Sequence, residues 1–124
     1  MSPNAPCPCA SGRPYAACCG RWHGGTPAPE AEALMRSRYS AFVLGLGEYL
    51  RASWHPSKRP ATLEFEPGLR WLGLEVRRVH VDGERATVEF VARSKLGGRA
   101  SRLHEASRFV REDGRWFYVD GDTR

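Results

Sequence analysis

The chain reads as an α+β protein in which a cysteine-rich segment comes first, two helical segments follow, and strands occupy the remainder. Three observations carry that reading. Apolar residues recur at helical spacing between Glu30 and Leu46, apolar and polar residues alternate with period two after Trp71, and two Asp-Gly pairs punctuate the alternating part. With 124 residues, 41% of them apolar and 27% charged, the chain has the size and composition of one ordinary domain with a small appendage.

Residues 1–25 are rich in Cys, Pro and Gly and hold only Tyr15 and Trp22 as large apolar groups. Such a segment buries too little surface to fold unaided and needs a staple. A turn-prone joint, Gly24-Gly25-Thr26-Pro27, leads into the first helix, with Thr26 as the expected N-cap. Met35, Tyr39, Phe42 and Leu46 then fall on one face, which predicts a helix from about Glu30 to Leu44. Gly45 and Gly47 interrupt it, and Glu48 to Trp54 reads as a second short helix ended by Pro56.

The strands follow. Trp71 to Val81 pairs with the run in which Ala86, Val88, Phe90 and Ala92 alternate with Thr87, Glu89 and Arg93, joined through Asp82-Gly83. After a flexible link, Leu96-Gly97-Gly98-Arg99, a second hairpin joins Arg102–Arg111 to Arg115–Asp120 through Asp113-Gly114. The expected sheet is an antiparallel meander of about four strands.

All four cysteines lie in CPCASGRPYAACCG. A disulfide within Cys7-Pro8-Cys9 or within Cys18-Cys19 would strain the backbone, and cross-pairing would need an oxidising compartment. Four thiolates around one Zn²⁺ require only that the two close pairs meet face to face. Structural zinc contributes on the order of 10 kcal/mol to such segments, against about 2–4 kcal/mol for a disulfide, which favours the metal. The expected ligands are Cys7, Cys9, Cys18 and Cys19, one zinc per chain, with Gly20 ending a short helical turn and His23 as a substitute ligand. A thiol redox centre or inert cysteines are the alternatives.

The N-terminus, MSPNAPCPCASG, has neither a basic start nor an apolar stretch, so the expectation is a cytoplasmic protein with reduced thiols. No apolar run approaches the roughly 20 residues of a membrane helix. The net charge of +5 suits an acidic partner, nucleic acid included, but the basic residues are scattered along the chain, the pattern of a solvated surface.

The cysteine motif resembles the SEC-C zinc motif at the C-terminal tail of the SecA preprotein translocase, whose ligands correspond to Cys7, Cys9, Cys18 and Cys19. Cys19 stands where the translocase tail has His, and Ala10 where Gly is frequent. In the translocase that motif docks a chaperone, lipids and the ribosome, which implies adapter duty toward a protein or ribosomal partner. The segments AEALMRSRYSAFVLGLGEYLRASWHP and LHEASRFVREDGRWFYVDG extend the resemblance to the YchJ family. It implies a zinc knuckle over residues 1–25 and, over 26–124, an NTF2-like (cystatin-like) cone of helices on a curved antiparallel sheet. No established activity comes with that family.

Cones of this kind often hold a cavity, or form homodimers through the sheet. Tyr39, Trp54, His55, Trp71, His104, Glu105, Trp116 and Tyr118 are the candidates for lining one, and strand alternation admits only one of His104 and Glu105. Arg36 and Arg38 read as solvated residues or packing stems, with an anion site as the sharper alternative. The expected function is a non-enzymatic adapter; the rivals are a small-molecule binding protein or enzyme using the cone, and a nonspecific nucleic-acid binder.

Overall fold

Four strands pair strictly in chain order, each antiparallel to its neighbour, in a computed structural model that describes residues 2–124. They are β1 (Arg70–Asp82), β2 (Arg85–Leu96), β3 (Arg99–Glu112) and β4 (Arg115–Thr123). Ahead of them come a 3₁₀ turn (Tyr15–Ala17), α1 (Cys19–His23), α2 (Ala31–Leu44) and α3 (Gly47–Ala52). The α+β order read from the sequence is therefore the order of the fold.

All three hairpins close through two-residue loops, with Asp82 opposite Arg85, Leu96 opposite Arg99, and Glu112 opposite Arg115. The expected flexible link at Leu96–Arg99 is thus a tight turn. Gly97 and Gly98 take φ of 56° and 82°, the left-handed pair that a two-residue hairpin demands of both central positions. Register shifts at Trp71/Gly73, Val76/Arg78 and Arg108/Phe109 insert bulges, which bend long strands around the helices.

On β2, Ala86, Val88, Phe90 and Ala92 face the core and are nearly inaccessible. Leu74, Phe109 and Trp116 join them from neighbouring strands, and α2 covers this face with Leu34, Met35 and Tyr39. Each buried Val, Leu, Met or Phe side chain there contributes roughly 1.5–3 kcal/mol. The four cysteines belong to the same buried cluster, so knuckle and sheet share one core.

Helix α2 starts later than Thr26 would cap it. Pro27 and Pro29 disfavour helical backbone in the residue before each, and the N-cap position is taken by Glu30, extended and without a side-chain cap bond. The helix ends where Gly45 turns left-handed and Leu46 N–H returns to Ala41 C=O at 2.9 Å. Beyond α3 the chain adds a short parallel bridge to β4. Tyr118 N–H donates to Ser53 C=O at 2.9 Å, and His55 N–H to Tyr118 C=O at 2.7 Å, tying the helical layer to that strand.

Candidate metal centre and cavity

Local backbone bonds bring the two cysteine pairs together. Pro6 and Pro14 form an antiparallel bridge, Cys7 N–H donates to Arg13 C=O at 2.9 Å, and Tyr15 N–H donates to Ala5 C=O at 2.8 Å. The first pair rides on the loop this closes. The second pair leads into α1 after the 3₁₀ turn, where Cys18 N–H donates to Tyr15 C=O at 3.0 Å. Gly20 does not end that helix, as expected, but lies within it. A Cβ there would sit 2.8 Å from Tyr15 O, so the close approach of the turn to α1 requires glycine.

The four Sγ atoms all lie within 4.8 Å of one another, and all four residues are buried. Cys9 Sγ and Cys18 Sγ are 3.6 Å apart, far beyond the ~2.05 Å of a disulfide, and all four thiols are free. A tetrahedron of thiolates at about 2.3 Å from a metal has sulfur–sulfur edges of about 3.8 Å. The donor set therefore fits a tetrahedral thiophilic ion.

Its electrostatics point the same way. Four touching thiols cannot all ionise without a cation among them. The Cys9 thiol is pushed down to about 4, first by its hydrogen bond with Cys19. Cys19 is pushed up, first by that same bond and then by burial, and Cys18 is pushed up first by burial.

Hydroxyls and α2 surround the sulfurs. The fully buried Ser40 donates from Oγ to Cys19 Sγ at 3.3 Å and lies 3.6 Å from Cys7 Sγ, while Ser11 Oγ is 3.1 Å from Cys18 Sγ. Arg36 Nη1 donates to Cys9 C=O at 2.8 Å. His23, the expected substitute ligand, is a strut instead. Its Nε2 faces Ser37 C=O at 2.8 Å and must carry the proton, which leaves Nδ1 to accept from Tyr15 O–H at 2.6 Å. Burial lowers the pKa of this imidazole, which keeps it neutral in that role.

The opposite side of α2 faces a second feature, a cavity of about 180 Å³ between helix and sheet. Of the residues expected there, Tyr39, Trp54, Trp71, Glu105 and Tyr118 line it. Three are elsewhere. His104 lies on the other face of β3, with Nε2 2.6 Å from Glu89 Oε2, because alternation gives the inward position to Glu105. His55 is held at the surface between Ser57 Oγ at 2.7 Å and Glu112 Oε2 at 3.0 Å. Trp116 packs toward Trp22, His23 and Tyr49, its Nε1 buried without an acceptor among the described residues.

Among the lining residues that the expected list omitted, Arg38 alone carries a charge. It is not solvated but 6% exposed, its Nη1 donating to Leu50 C=O at 2.7 Å and to Ser53 Oγ at 2.6 Å. Its position beside Met35, Tyr39 and Phe42 was the available signal, since residues three and four apart share a helix face.

Comparison with known proteins agrees with both halves. Residues 30–121 match the family described as YchJ, middle NTF2-like domain, and residues 4–21 match the SEC-C motif. A UPF0225 protein of Methylibium petroleiphilum is 66% identical over 124 residues, covering 96% of this chain and 90% of that protein. Another from Polaromonas sp. strain JS666 is 59% identical, covering 100% and 97%. The solution structure of a SEC-C motif containing protein from Rhodopseudomonas palustris superposes with a TM-score of 0.85 at 34% identity, covering 97% of this chain and 99% of that one. The crystal structure of a SEC-C motif containing protein from Psychrobacter arcticus gives 0.78 at 30% identity, covering 92% and 80%. With its SEC-C motif set against an NTF2-like α+β domain, the chain belongs to the YchJ family of UPF0225 proteins.

Proposed function

We propose that Cys7, Cys9, Cys18 and Cys19 hold one structural zinc, and that the protein is a non-enzymatic cytoplasmic adapter docking an acidic protein or ribosomal partner through its knuckle. The observation that carries the reading is a closed set of four buried sulfurs beneath an exposed basic rim. Zinc there supplies rigidity rather than chemistry, since four protein thiolates leave no open position for a substrate. Residues 1–25 are then the knuckle and 26–124 the cone.

The rim supports a docking role. A groove of about 410 Å³ beside the sulfurs is lined by Arg13, Arg21 and Arg36 together with Trp22, Glu30 and Glu32. Arg13 and Arg21 are exposed, and Arg21 lies over the Trp22 ring at 4.3 Å, presenting charge and an apolar plate together. Among the described residues no helix is long and apolar enough to cross a membrane.

The test is affinity capture from a nuclease-treated lysate with the zinc-loaded protein, its Arg13→Glu/Arg21→Glu variant and its Cys18→Ser/Cys19→Ser variant. A partner retained by the wild type and lost by both variants is the expected result. Equal capture by all three proteins rejects the knuckle as the docking surface. If the partner were nucleic acid held by phosphate contacts, its affinity would fall steeply with salt.

A second reading is favoured by the cavity, whose aromatic lining and single buried guanidinium suit a small-molecule binding protein.

A further inference from the structure

Arg38 is a buried cation with part of its hydrogen-bonding capacity unused. Its Cζ lies over the rings of Trp54 at 5.0 Å and Tyr118 at 4.5 Å, so aromatic faces cover the guanidinium and its hydrogen bonds leave through the edge. Both bonds to protein come from Nη1. Among the described residues Nε and Nη2 have no acceptor, and no carboxylate lies within the 4.0 Å of an ion pair. A buried charge with no carboxylate in direct contact is costly to hold, and burial lowers the pKa of this group to about 10, only partly offset by Glu105 in the same cavity. The unused pair, Nε–H and Nη2–H, is the parallel side-on fork that a carboxylate accepts with both oxygens.

From this geometry we infer that the cavity is a binding site for a small single-ring aromatic carboxylate, its carboxylate on the Nε/Nη2 edge of Arg38 and its ring among Tyr39, Trp71, Phe90 and Phe109. This rests on the small-molecule reading of the cavity. The size is right: about 180 Å³ is available, and a cavity of about 150 Å³ lined by apolar side chains holds benzene. Leu103, 38% exposed, marks the side open to solvent. Glu105 shares the lining and accepts from Ser107 O–H at 2.5 Å. Its negative charge disfavours a second anionic group on the ligand, while a ring hydroxyl would find an acceptor there.

The test is an NMR titration of the full-length, zinc-loaded protein with benzoate, toluene and benzylamine, three probes of one ring size and different charge. Benzoate should shift the amides of Tyr39, Trp71 and Phe109 and bind about tenfold more tightly than toluene, the gain of a charge-assisted hydrogen bond. Benzylamine should bind most weakly. Arg38→Lys, which keeps the charge and loses the fork, should cost benzoate about tenfold and leave toluene unchanged; if that variant does not fold, the wild-type ranking decides alone. Equal binding of benzoate and toluene would overturn the carboxylate class and leave a small-molecule cavity standing. Silence from all three probes would overturn both, and preference for benzylamine would give the site to Glu105 and reject the inference.

Discussion

The two sides of α2 solve the same packing problem with different chemistry. Toward the sheet, the helix buries Met35 and Tyr39 against Val88, Phe90 and Phe109, and carbon contacts hold the layers together. Toward the knuckle it presents Ser37, Ser40 and Arg36, which bond a carbonyl, sulfurs and the strut His23. The sheet side rests mainly on apolar area, with Arg38 as its one buried charge among the described residues. The other gathers four buried thiols that repel when ionised, an arrangement that a bound cation would stabilise. A small segment without aliphatic bulk can thus be part of a core, provided something neutralises its donors.

The sharpest way to break that contrast is to remove the metal. Zinc-loaded protein should carry one zinc per chain, and Cys9→Ser or strong chelation should abolish it, with a loss on the order of 10 kcal/mol to the knuckle. Hydrogen exchange should then show residues 5–25 unprotected while the amides of β2 and β3 stay slow. Full order of that segment without metal would reject the site.

The converse change acts on the sheet. Phe109 is 2% exposed, and Phe109→Ala should lower the denaturant midpoint by an amount equivalent to about 3 kcal/mol, while the folded protein still binds one zinc. Concurrent loss of zinc from still-folded protein would mean that the two sides of α2 are one cooperative unit rather than two.

A smaller effect falls between them. Ser40→Ala removes the hydroxyl shared by Cys7 and Cys19 and should weaken zinc about tenfold in a chelator competition, leaving the fold intact. Unchanged affinity would reduce Ser40 to a packing residue. Smallest is Ala10→Gly. Ala10 has a φ of 66°, a left-handed backbone that costs an L-residue about 1 kcal/mol, so glycine should raise the knuckle's stability by about that amount. A fall in melting temperature would show that the loop tolerates alanine without strain.

Much of this is legible in the residues. Period-two alternation from Ala86 to Ala92 identifies β2 and its inward face, because a half-buried strand can satisfy water and core in no other pattern. The C-x-C and C-C spacing marks the thiol cluster, since each pair brings two donors together before any folding. Boundaries were less legible: Thr26 looks like a cap until Pro27 and Pro29 are considered, and Gly97-Gly98 looks like slack until the register of β2 and β3 makes it a turn.

The sequence by itself thus determined the element order, the alternation and the gathering of the thiols, all of which depend on neighbours a few residues apart. Only the tertiary structure decided that His23 braces α2 instead of joining the sulfurs, that Glu105 rather than His104 enters the cavity, and that Arg38 lies against both Trp54 and Tyr118 with its Nε and Nη2 donors unused. The physical reason is distance along the chain. Charge, burial and hydrogen-bond partners at those positions are set by groups from 8 to 80 residues away, and no local pattern carries their geometry.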